Sequence, residues 1–133
     1  MTIICDTHVP IFYQDDPDRL SDRARRTFEQ GVREGWLAFA DISLWEIAML
    51  FVRGRLNPQA ATTPSNYIRD LIIGYGLEIV PIDADIAVTA QSSKFPHGDP
   101  ADRIIGATAI IHKVPLLTLD EKLRSVPGLS TIW

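Results

Sequence analysis

Carboxylates are the side chains here whose number and placement can do chemistry. Asp6 closes an apolar run, Glu46 falls in the first turn of an expected helix, Asp102 starts another helix, Asp120 follows a second apolar run, and Asp99 is a fifth acid close by. Any one acid at a helix start has a plain structural role, because the dipole there favours an anion by about 0.3–1 kcal/mol. Glu46 follows Ser43 at the spacing of a capping box, which is such a role. A set of acids is different. Two carboxylates about 4 Å apart repel by roughly 4 kcal/mol at an effective dielectric near 20, so a cluster stays ionised only with compensation, and a cation is the simplest. Oxygen ligands, a single cysteine and three histidines at no ligand spacing point to Mg²⁺ or Mn²⁺ rather than zinc. One ion with its waters, or two ions, would serve. A carboxylate-held Mg²⁺ binds a phosphate oxygen, activates water and stabilises the leaving oxygen, which is the logic of metal-dependent phosphodiester hydrolysis.

The elements that must position these acids follow from hydrophobic patterning. Thr2–Cys5 is a short β-branched run that predicts a buried parallel strand, with Asp6 at its carboxyl end. Thr7 is placed to cap a short helix that tolerates Pro10 in its first turn. Leu20, Ala24, Phe28 and Val32 form one stripe of a helix ending near Gly35, followed by a strand over Trp36–Phe39 and a helix capped by Ser43. Arg53–Pro58 reads as a connection, and Thr63-Pro64 restarts a helix that stops near Gly74 or Gly76. Leu77–Ile82 predicts a third strand, Asp83 a cap for the next helix, and Phe95–Pro100 a loop. Ala101–His112 is helical, Val114–Leu119 is a fourth buried strand ending at Asp120, and Thr131–Trp133 is a candidate edge strand. Strands too apolar to face water, alternating with helices, give an α/β fold with a mainly parallel sheet of four to five strands covered on both faces. In such sheets the ligand crevice lies beyond the carboxyl ends of the strands, where Asp6 and Asp120 fall.

Composition bounds the function. The 133 residues, 46% hydrophobic and 23% charged, fit one domain over 1–133 with a core that needs no disulfide. Cys5 is expected to be a buried core residue. No apolar run approaches the roughly 20 residues of a membrane span, and no secretory signal pattern is visible, so the expected location is the cytoplasm with no membrane contact. A net charge of −4 argues against holding nucleic acid by bulk electrostatics alone, but not against doing so through metal ions.

Four blocks then add what patterning lacks. Ile4-Cys5-Asp6-Thr7-His8, Ile42-Ser43-Leu44-Trp45-Glu46-Ile47, the run Gly98 to Ala109 and Leu116-Leu117-Thr118-Leu119-Asp120 resemble, in order and spacing, the signature blocks of PIN-domain proteins, and more narrowly VapC-type toxins of bacterial toxin–antitoxin pairs. The resemblance spans nearly the whole chain. It implies a small PIN fold, a Mg²⁺- or Mn²⁺-dependent endoribonuclease acting on RNA such as tRNA or rRNA, a cognate VapB-type antitoxin and a homodimer. The family's acidic set falls on Asp6, Glu46, Asp102 and Asp120, as catalytic residues and metal ligands, with Asp99 auxiliary. Thr7, Ser43 and Thr118 take positions where such proteins place small hydroxyls beside the acids, which can orient a carboxylate or a metal-bound water. Pro10 and Phe12 depart from the usual leucine and tryptophan, and Gly106 stands where alanine is common, trading helix propensity for closer packing.

The remaining polar residues carry weaker readings. Arg103 can hold a phosphate or pair with Asp99. Arg19, Arg23, Arg25, Arg26 and Arg33 form either a backbone-binding patch or a solvated helix face. His8 is the histidine nearest the acids, and Trp45 and Met49 read as core or dimer contacts. A phosphotransfer domain also places an aspartate after its first strand, but the phosphatase pattern needs an acid where His8 stands, and the receiver pattern needs a mid-chain acceptor where Pro81 precedes Asp83. A non-catalytic RNA-binding or regulatory PIN-like module is the alternative of a different class, and the intact acid set argues against it.

Overall fold

The structure is a computed structural model that describes residues 2–96 and 98–133. Five strands form one sheet: β1 (Ile3–Cys5), β2 (Leu37–Ala40), β3 (Glu78–Val80), β4 (Leu116–Leu117) and β5 (Thr131–Ile132). Every pairing is parallel and the order is β3-β2-β1-β4-β5. The strands are apolar on both sides because both faces are covered. Ile3, Cys5, Leu37, Phe39 and Leu117 join one core cluster, while Ile4, Ala38, Ala40 and Leu116 join the other. This is the alternation that the two-residue pleat imposes on a doubly covered sheet.

The first face is covered by α1 (His8–Asp15), α2 (Asp22–Glu34), α3 (Ile42–Val52) and α4 (Pro64–Tyr75). The second is covered by α5 (Ala84–Thr89), α6 (Pro100–His112) and α7 (Glu121–Arg124). The α2 stripe packs as expected through Ala24 and Phe28, and the helix ends on Gly35, whose φ of 71° needs the left-handed freedom of glycine. Thr63 and Asp83 cap α4 and α5 with their side chains. Helix α7 was not anticipated, and the fourth strand contracts to two residues. His97, which falls in the expected Phe95–Pro100 loop, lies outside the described residues.

Two expected caps are replaced. Helix α3 begins at Ile42, so Ser43 sits inside its first turn and Glu46 in its second, and no capping box forms. Asp41 precedes the helix in helical conformation, and its carboxylate accepts from the Ile82 N–H at 3.1 Å, tying the end of β2 to the segment after β3. Thr7 likewise makes no cap bond to α1. Its hydroxyl and that of Ser43 share a buried hydrogen bond of 2.8 Å instead, linking the starts of α1 and α3. Trp45 is not in the core, being 61% exposed.

Candidate active site

Strand order reverses direction around β1: the chain runs outward to β2 and β3, then returns to place β4 on the other side. A crevice opens at that switch point, beyond the carboxyl ends of β1 and β4. It is a cavity of about 330 Å³ lined by Asp6, Glu46, Asp99, Asp102 and Asp120. Two strand ends, α3 and the start of α6 thus deliver all five acids to one place.

Asp6 is 8% exposed, and both of its oxygens are held. One accepts from the Thr7 N–H at 2.8 Å and the other from the Thr118 hydroxyl at 2.6 Å. Thr118 also accepts from the Asp120 N–H at 3.0 Å, so one small hydroxyl sets the positions of two acids across the β1–β4 pair. Asp120 caps α7, accepting from the Lys122 N–H at 2.9 Å. Asp99 caps α6 through the N–H groups of Ala101 at 3.0 Å and Asp102 at 3.4 Å. Glu46 is 8% exposed, and its Oε1 is buried without a hydrogen-bond partner among the described residues. That is costly for a carboxylate oxygen unless something cationic approaches it.

The charges are strained accordingly. Burial pushes Asp6 above the usual aspartate range, against the pull of the Thr118 hydrogen bond. Burial also raises Glu46, with Thr7 hydrogen bonding and His8 opposing. Asp102 is pushed up to about 8, by burial first and then by the charges of Asp6, Asp99, Glu46 and Asp120. Without a cation the pocket favours protons.

Glu46, Asp99 and Asp102 each present a carboxylate oxygen within 4.8 Å of the other two, a spacing that suits one shared cation. Asp99, expected as auxiliary, is therefore in the tightest trio, while Asp6 and Asp120 line the same cavity outside it. The donor set is all oxygen, which fits Mg²⁺ or Mn²⁺. The Arg103 Nη1 donates to the Ala90 carbonyl at 3.0 Å, and Arg103 lines a further cavity with Ala90 and Gln91, just after α5. Arg23, Arg25, Arg26 and Arg33 are solvent-exposed on α2. Arg19, expected with them on one helix face, lies instead in the 3₁₀ turn Pro17–Arg19 and lines the acidic cavity, as does Trp133. The Pro17 signal that ends the α1 loop in a turn would have separated Arg19 from the α2 arginines.

The sheet order, the switch-point crevice and its acids define a PIN architecture. The PIN domain description matches residues 3–129. The chain is 38% identical over 136 residues to Ribonuclease VapC22 of Mycobacterium tuberculosis, covering 99% of this chain and 98% of that protein. Solved structures with the same fold include VapBC2 from Rickettsia felis bound to a promoter DNA fragment, at 17% identity and a TM-score of 0.70, covering 99% of this chain and 98% of that one. DNA-bound VapBC from Salmonella typhimurium is similar at 16% identity and a TM-score of 0.69, covering 99% and 97%. The chain belongs to the PIN-domain family, among its VapC-type members.

Proposed function

We propose that this chain is a Mg²⁺- or Mn²⁺-dependent endoribonuclease, acting in the cytoplasm as the toxin of a toxin–antitoxin pair. The observation that carries the reading is the convergence of five carboxylates on one cavity at the switch point, including a buried Glu46 oxygen without a hydrogen-bond partner among the described residues. Family membership and the ribonuclease relative support the same activity. Glu46, Asp99 and Asp102 would hold the ion, and Asp6 and Asp120, which line the same cavity, would serve as further ligands. When bound, the ion would polarise the scissile phosphate and lower the pKa of a bound water. Asp6 is locked by Thr7 and Thr118, so its carboxylate faces the crevice without side-chain rearrangement. Thr7 and Ser43 keep the starts of α1 and α3 together and so hold Glu46 over the crevice.

A VapB-type antitoxin is the proposed partner, on the strength of the VapBC complexes among the structural neighbours. A homodimer is proposed through the exposed Trp45, which with Ile42, Met49 and Pro100 lines an apolar cavity of about 490 Å³. Residues 1–133 would act as a single domain.

The test is cleavage of total and structured RNA by wild type and Asp102→Asn in EDTA, Mg²⁺ and Mn²⁺. Cleavage by the wild type only with metal, and by the variant in no condition, is the expected result. Metal binding by calorimetry without cleavage of any RNA would favour the non-catalytic module instead.

A further inference from the structure

Three side chains form a wall between the acidic cavity and its neighbour. The rings of His8 and Phe12 lie 5.4 Å apart, tilted by 38°, and the Arg19 guanidinium sits 4.2 Å over the Phe12 ring. All three also line a second cavity of about 370 Å³. The two cavities differ in charge. Among the described residues lining the acidic one, Arg19 is the sole arginine or lysine. The second adds Arg55 and the Asn57 amide, and one of its two acids, Asp15, already accepts from the Tyr67 hydroxyl at 2.7 Å.

Arg55 is placed by backbone rather than left to a free loop. Gly54 turns the chain out of α3 with a φ of 68°, and the Arg55 N–H donates to the Leu50 carbonyl at 2.9 Å. Among the described residues neither Arg19 nor Arg55 is taken up in an ion pair. A polyanionic strand with one phosphate at the carboxylates cannot continue over further carboxylates. It must leave across a cation. Arg19 is that cation, and an arginine stacked on an aromatic ring keeps its N–H edge for phosphate while its face stays available to a base.

We propose that the second cavity is the subsite for the second nucleotide from the scissile phosphate, with Arg19 on the first phosphate beyond the scissile one and Arg55 on the next. This rests on the ribonuclease reading. It makes Arg19 and Arg55 positioning residues that fix strand direction across the site, and it commits the strand to α1 and the α3 terminus rather than to the arginine face of α2. A cavity of this size accommodates a base with its sugar.

The test measures binding of a fluorescent single-stranded RNA to Asp102→Asn protein in Mg²⁺ over a salt series, together with cleavage kinetics in the otherwise wild-type chain. Arg19→Ala and Arg55→Ala should each weaken binding about tenfold and lower the slope of log affinity against log salt by about 0.7, the value for one single-strand phosphate contact. In cleavage, KM should rise while kcat changes less than about threefold. Arg19→Lys should restore the salt slope, and Arg25→Ala on α2 should match the parent in every readout. Unchanged affinity and slope in both alanine variants, with the parent still cleaving RNA, overturns the subsite and leaves the ribonuclease reading standing. Variants that keep RNA binding but lose a co-purifying protein partner also overturn it, assigning the surface to that partner. A wild type that neither binds nor cleaves RNA overturns both. Both arginines are exposed, so melting curves should match the parent's.

Discussion

Phe28 and Asp6 are both nearly sealed from water, at 0% and 8% exposure, yet their burial acts in opposite senses. Phe28 meets Tyr13 at 4.7 Å and Tyr75 at 5.1 Å between ring centres, and each contact adds to the apolar area removed from solvent. Asp6 is buried together with Thr7, Ser43, Glu46 and Thr118, which with Thr108 are the buried polar residues among those described. Apart from Thr108, whose hydroxyl donates to Ile104 within its own helix, they gather at the carboxyl end of the sheet. The apolar faces supply stability, and the carboxyl end spends some of it holding like charges together. Substitutions in the two regions should therefore move stability and activity in opposite directions.

The largest effect is expected on the apolar side. Phe28→Ala removes the centre of the aromatic trio and should cost about 3–5 kcal/mol in chemical denaturation, while metal affinity in the folded fraction stays as it was. Next comes Thr118→Val, nearly equal in shape but without the hydroxyl that joins Asp6 to Asp120. It should weaken Mg²⁺ or Mn²⁺ binding by about 10–100-fold in calorimetry, as loss of a ligand-orienting hydrogen bond does, and a tighter-binding variant would refute the bridging role. Gly106→Ala tests the face around α6. A Cβ there would come to 2.6 Å from the Phe95 ring and 3.5 Å from Leu123, so despite better helix propensity the variant should lose about 1–2 kcal/mol. A more stable alanine variant would show that the Phe95 ring shifts freely.

These two regions were not equally legible in sequence. The faces could be read because β-branched runs and the Leu20–Val32 stripe state burial directly, and the parallel sheet followed from them. Asp6 and Asp120 were placed by the same logic, being the residues after apolar runs. The details of the site were harder because they depend on contacts between distant segments. Ser43 looks like a cap by local spacing, but its hydroxyl is drawn to Thr7, 36 positions away, and Asp41 stands before the helix instead. Arg19 looks like part of an arginine face until the turn at Pro17 sends it over Phe12. Helix α7 has only four residues, too few for any periodicity to show.

The smallest effect concerns protons, and its sign separates the two regions most cleanly. Asp102 is held at about 8 in the folded chain, against about 3.9 for an unfolded aspartate, so between these values the folded state binds more protons than the unfolded one. Its stability contribution is therefore most favourable at the acidic end of that window and is lost as pH rises toward 8, the reverse of a salt-bridged aspartate. Asp6 and Glu46 are raised too and push the same way. Metal-free protein should melt progressively lower from pH 5 to pH 8. Asp102 is only partly buried, so solvent screening keeps its share to roughly 1 kcal/mol, a shift of about 2–5 °C. Asp102→Asn should flatten the profile and raise the melting temperature at pH 8, because an amide neither titrates nor repels the four remaining acids. Saturating Mg²⁺ should flatten the wild-type profile as well, by neutralising the charges that the protons otherwise relieve. A metal-free melting temperature that rises between pH 5 and pH 8 would mean that the carboxylates are compensated within the chain, and the case for a cation as their missing partner would fail.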